Sequence, residues 1–145
     1  MFERVVDHRP EYAAALRAVD EALWAQDVVD PIVLELCRLR IAQLLDSPDE
    51  LARRTPTAVA AGLDEAMVSE LRQWPTSDRF DARLRTCLGY AEQVLVDAQA
   101  VSDEQAAAVV AAMGDGGLLV LTYGCGFFET NARARIVLAL EGVTT

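Results

Sequence analysis

Sulfur and imidazole are scarce in this chain. Its 145 residues include three cysteines, Cys37, Cys87 and Cys125, and one histidine, His8. The cysteines are odd in number and far apart, which argues against a disulfide framework. A single histidine near the N-terminus argues against a structural zinc site, and neither a metal nor a cofactor is expected. A basic excess is missing too. Thirteen Lys and Arg face 23 Asp and Glu, a formal net charge of −10. The electrostatic footprint of a nucleic-acid binder is therefore absent, and an anionic membrane is an unfavourable partner. Long apolar runs are also lacking. The longest uncharged stretch, Gly116 to Phe128, falls short of the roughly 20 residues a spanning helix needs. Residues 1–10 carry Glu3, Arg4, Asp7, His8 and Arg9 with no apolar segment among them, so no secretory signal is expected. These absences make a cytoplasmic protein without a membrane partner the expectation.

What is present is apolar content and helical spacing. Hydrophobic residues make up 52% of the chain. A chain of this length suits one domain over residues 1–145, able to bury roughly 70% of the surface its unfolded form exposes. No internal repeat or low-complexity segment stands out, and strand-like alternation is rare, so the expected class is all-α, with six or seven helices.

Pro10 can open a first helix whose Tyr12, Leu16, Val19, Leu23 and Trp24 share one face. Asp30 before Pro31 reads as an N-cap with proline in the first helical position. The helix it opens, to about Leu45, is apolar nearly all round and belongs at the centre of a bundle or against a partner. Ser47, Pro48, Asp49 and Glu50 read as a capping box starting a short helix, which Pro56 should end or bend. Gly62 is a C-cap, and Asp64 restarts a helix to about Gln73. Asp81 caps a helix over 82–98, with Leu84, Leu88, Ala91, Val94 and Leu95 inward. Ser102 and Gln105 form a second capping box. Its helix should end near Gly114, and a last helix should run from Asp115 to about Leu140, before Gly142. Gly124 and Gly126 cost that helix about 1 kcal/mol each relative to alanine, tolerable where another backbone packs closely.

A block from Leu34 through Glu35, Leu36, Arg38, Leu39, Arg40, Ala42 and Gln43 to Leu44 is followed by Ala60-Ala61-Gly62-Leu63. Phe80-Asp81, Ala91-Glu92, Val101 to Glu104, and Phe127-Phe128 with Arg133 come after it in order. This pattern, over about residues 31–140, resembles the carboxymuconolactone decarboxylase and alkylhydroperoxidase D superfamily. The resemblance implies an alkylhydroperoxidase D-like helical bundle and a homo-oligomer, whether trimer, hexamer or dimer-based assembly. In peroxidase members it implies two cysteines three apart at a helix start, a histidine four residues later, and a glutamate one helix earlier. A thiolate at a helix N-terminus is stabilised by the macrodipole and attacks peroxide, and the second thiol closes a disulfide.

At the matching positions this chain has Glu35 for the glutamate, but Ser47 and Glu50 for the cysteines and Arg54 for the histidine. Serine without a neighbouring base is a far weaker nucleophile, and glutamate forms no disulfide. Glu35 lies on an apolar helix, where an unpaired carboxylate would be expensive. Arg38, three residues on, can pair with it, as can Arg133 of the last helix, unless Glu35 faces a ligand. Glu129 and Arg133 also have the spacing of a surface pair. Cys37 and Cys125 sit in apolar stretches where cysteine acts as a small hydrophobe. Cys87, beside Arg83 and Arg85, is the thiol best placed to react.

The leading expectation is an alkylhydroperoxidase-like protein without dithiol peroxidase activity, serving as an oligomeric scaffold or binding a small molecule between helices. The alternatives are a thiol-independent decarboxylase- or isomerase-like enzyme with Glu35 as acid/base and Glu50, Arg54 or Arg133 binding substrate, or a residual one-cysteine peroxidase.

Overall fold

Proline decides where the first four helices among the described residues begin. The computed structural model describes residues 7–140. In it α1 (Pro10–Ala25), α2 (Pro31–Leu44), α3 (Pro48–Ala52) and α4 (Pro56–Ala60) each carry proline in the first turn. There its fixed φ suits the helix and its missing N–H costs nothing. Next come α5 (Glu65–Ser69), a 3-10 turn at Leu71–Gln73, α6 (Ala82–Asp97), a second 3-10 turn at Ala98–Ala100, and α7 (Asp103–Leu140). No strand occurs among the described residues. The fold is all-α, a helical bundle, as the sequence pattern implies.

Several boundaries follow local chemistry. Asp30 accepts from Ile32 N at 2.8 Å and Asp81 from Leu84 N at 2.9 Å. Ser102 and Gln105 close both halves of their box, at 3.0 and 3.1 Å. Gly62, with φ +95°, ends α4 in a Schellman arrangement, with Leu63 N bonding Ala58 O at 3.1 Å. Gly114 (φ 75°, ψ 176°) breaks α7 into segments 103–113 and 115–140. Gly117 completes the break, because a Cβ there would collide with Met113. Gly142 lies outside the described residues.

The core forms where α2, α6 and α7 meet. Residues 33–39, 41 and 42 of α2 are all buried, as the all-round apolar pattern requires. A fully buried Leu or Ile contributes about 1.5–3 kcal/mol. Leu34, Leu36, Leu39, Ile41, Leu88 and Leu121 meet that condition. Cys37, Cys87 and Cys125 are buried in the same core, and Cys87 Sγ lies 3.8 Å from Met113 Sδ.

Three expectations need correction. Tyr12 and Val19 of α1 are 66% and 50% exposed. The helix instead buries Ala13 and Trp24, with Trp24 packed on Phe128 at a ring-centroid distance of 6.0 Å. α1 seats along a narrow edge where α7 lacks a side chain: a Cβ at Gly124 would come within 3.3 Å of Leu23. Pro56 does not bend the helix that begins after Ser47. That helix has already ended at Ala52, and Pro56 opens α4. Finally, residues 103–138 are long and apolar enough to cross a bilayer by length and composition, because a helix that long tolerates a few charges.

Candidate functional site

The substituted positions lead into a buried ionic network at the junction of α2, α3, α4 and α7. Its centre is Arg38. Nε donates to Glu35 Oε2 at 2.8 Å and Nη2 to Glu35 Oε1 at 2.7 Å. Nη1 donates to Glu50 Oε2 at 2.8 Å and to the Glu50 carbonyl at 2.9 Å. Nη2 also reaches the Arg53 carbonyl at 3.0 Å. The five N–H donors of a guanidinium thus meet five acceptors.

Glu35 is equally saturated. Besides Arg38, it accepts from Thr55 N at 3.0 Å through Oε1 and from Thr55 Oγ1 at 2.7 Å through Oε2. Each oxygen takes two hydrogen bonds, the full acceptor capacity of a carboxylate. Its side chain is 0% exposed. Burial acts to raise its pKa, but the bonds and charge of Arg38, with the two bonds from Thr55, prevail and hold it below the ordinary range. Glu50 behaves alike: burial is outweighed by Arg53, Arg38 and Arg135. Arg53 donates to its Oε2 at 3.0 Å, and Arg135 sits 2.6 Å from its Oε1. Burial would lower Arg38, yet the two carboxylates raise its pKa. Every cation in the chain is arginine, the residue whose planar fork suits such a dry site.

The expected site residues part company here. Glu35 and Glu50 come together. Arg54 pairs with Glu65 at 2.8 and 3.1 Å and reaches neither network carboxylate, sharing with Arg38 only the Arg53 carbonyl, at 2.8 Å, and Arg133 pairs with Glu129 at 3.0 Å on the surface. The basic partners of the network are Arg38, Arg53 and Arg135. Ser47 does not make its capping box. Its Oγ is buried with no hydrogen-bond partner among the described residues, and α3 has no side-chain cap. Glu50 cannot reach back because its carboxylate is committed to arginines, and Ser47 N bonds Ala42 O at 3.0 Å. Arg53, Arg135 and Thr55 escaped sequence reasoning. Arg135 carries no local signal, whereas Thr55 could have been suspected as the residue before Pro56.

Thiol chemistry is disfavoured throughout the core. Burial pushes Cys87 up to about 11 despite Arg83 and Cys125 up to about 12. Burial, with the other two thiols nearby, also pushes Cys37 well above the ordinary thiol range. Among the described residues no group of His, Cys, Asp or Glu is arranged to hold a metal ion.

Two clefts flank α1. One, of about 350 Å³, is bounded by Asp20, Glu21, Trp24, Ala25, Thr55, Pro56 and Thr57, so Thr55 joins it to the network. Burial raises the Asp20 pKa against the opposing effects of Arg53 and a hydrogen bond from Trp24. The other cleft, about 320 Å³ and almost wholly apolar, lies between α1 and α7 and includes Leu23, Val120, Gly124 and Phe127.

Comparison with curated proteins finds no match. The sequence model of the carboxymuconolactone decarboxylase family matches residues 10–93. That span runs from the start of α1 through both carboxylates of the network and into α6, more than half of the chain. This chain belongs to the carboxymuconolactone decarboxylase family.

Proposed function

We propose that the chain is a carboxymuconolactone decarboxylase/alkylhydroperoxidase-like protein without dithiol peroxidase activity, acting in the cytoplasm as an oligomeric scaffold or small-ligand-binding protein. The observation that carries this reading is the saturation of Glu35. Four hydrogen bonds leave the carboxylate no lone pair for a proton relay, and the resemblance offers no sulfur at Ser47 or Glu50 for a relay to serve. The network instead ties α2 to α3, α4 and α7. Peroxide consumption by the pure protein with a thiol reductant tests the reading: the expected rate is the uncatalysed one. Fast turnover lost on Cys87→Ser or Cys125→Ser would overturn it.

A thiol-independent acid/base enzyme is the second reading, favoured by the cleft beside Thr55. There the acid would be Asp20 rather than Glu35, because Asp20 borders open space and holds its proton more tightly than usual. Perturbation of the Asp20 carboxyl resonance by candidate carboxylate or lactone ligands would support it. No perturbation across such a panel would remove it.

A further inference from the structure

The exposed side of the last helix carries a regular pattern, of which Leu119 and Tyr123 also border the apolar cleft against α1. At about 100° per residue, Asp115, Leu119, Tyr123, Gly126, Thr130 and Arg133 fall within one narrow sector, and all six are exposed. Leu119 is 60% and Tyr123 75% exposed. Nothing in the protomer lies within 4 Å of a Cβ built at Gly126. Its backbone is helical, so neither dihedral strain nor an internal neighbour calls for glycine there, although glycine costs a helix about 1 kcal/mol.

We propose that this stripe is a two-fold interface on which a second copy of the chain lays the same helix antiparallel. The proposal rests on the oligomeric reading above and names the surface. The stripe is self-complementary about a point midway between Tyr123 and Gly126. Across that point Tyr123 of each copy lies over Gly126 of the other, the aromatic ring taking the space the glycine leaves. Leu119 meets the methyl of Thr130, and Asp115 meets Arg133, so opposite charges face each other at both ends. Such reciprocal pairing is what an isologous contact requires. A net charge of −10 repels copies in general. From Gly116 to Phe128 the helix carries no charge, so the approach is least opposed there. Arg133 keeps 57% of its side chain exposed while bonded to Glu129, so it can take a second carboxylate.

Sedimentation velocity on the full chain tests this with charge reversals. Asp115→Arg and Arg133→Glu should each weaken self-association about tenfold or more, and the double variant should recover much of it. Tyr123→Glu should give a monomer of unchanged helix content, because its side chain is mostly outside the core, and a thermal midpoint that, unlike the wild type's, does not rise with protein concentration. Oligomers indifferent to all four variants would overturn this interface while leaving the oligomeric reading intact. A wild-type chain that stays monomeric at high concentration would overturn both. Binding of the wild type to neutral lipid vesicles without self-association would also overturn the interface and assign the stripe to a bilayer surface.

Discussion

Arg38 and Glu35 face one another as a fork, with paired bonds of 2.8 and 2.7 Å and both side chains removed from solvent. This is a contact that cannot be halved. Arg38→Met would leave Glu35 and Glu50 buried without their shared cation, at a cost of about 3–5 kcal/mol. Arg38→Lys should rescue little, because an ammonium has three donors where five acceptors wait. Glu35→Gln should cost less, about 1–3 kcal/mol, since an amide oxygen still accepts from Arg38. Urea unfolding monitored by circular dichroism gives the order. An Arg38→Met chain with the wild-type midpoint would show that the network does not hold these helices together.

The same network sets an acid limb. Glu35 and Glu50 have folded pKa values below their ordinary 4.5. Their contribution is therefore present above about pH 4.5 and lost as pH falls through the folded values. Asp20 has the opposite sign. Its folded pKa lies above 3.8, so it favours the folded state below that value and loses this effect as pH rises through the folded pKa. Asp20→Asn should accordingly be at least as stable as wild type near neutral pH and fall more steeply in acid. Unfolding free energies between about pH 7 and pH 2 check both signs. A variant less stable than wild type only near neutral pH would contradict the account of Asp20.

The three thiols should be silent in the folded protein. Each is buried, and two are pushed to about 11 and about 12, so thiolate is rare at about pH 8. A disulfide reagent should label them only at the rate at which the chain opens. Fast modification of one cysteine under native conditions would restore the one-cysteine peroxidase to contention, with Cys87 the first to examine.

Some of this was legible in the sequence because it is local. Asp30, Asp81, Ser102 with Gln105, Gly62 and Gly114 act within a few residues of themselves, and they set three helix starts, one helix end and the break in α7. The Glu35–Arg38 pair was legible for the same reason, three residues apart on one helix. The rest depends on tertiary placement. Ser47-Pro48-Asp49-Glu50 spells a capping box, yet Glu50 gains more from three arginines than from one backbone N–H. Arg135 was chosen over Arg133 by the facing of α7 toward α3, which no spacing within α7 reveals. Tyr12 and Val19 fit the period of a buried face, but α1 rests on a seat too narrow to cover them. The family match ends at residue 93, so α7, which supplies Arg135 and the exposed stripe, lies outside it.

Gly114 offers a test of how α7 is divided. Its φ of 75° with ψ of 176° lies in a region that is open in practice only to glycine, where another residue costs on the order of 1–3 kcal/mol. No neighbour lies within 4 Å of a Cβ built there, so the cost of Gly114→Ala is conformational and not steric. Two responses are open to the variant. It can keep the break and lose stability, or straighten residues 103–140 into one continuous helix. Straightening would move Met113 from beside Cys87, where sulfur meets sulfur at 3.8 Å, and detach residues 103–113 from the core. The expected outcome is therefore a destabilised chain of unchanged helix content that keeps its break. A variant as stable as wild type would show that the break is not fixed by this glycine. A rise in helix content with loss of thiol protection at Cys87 would show that straightening had won.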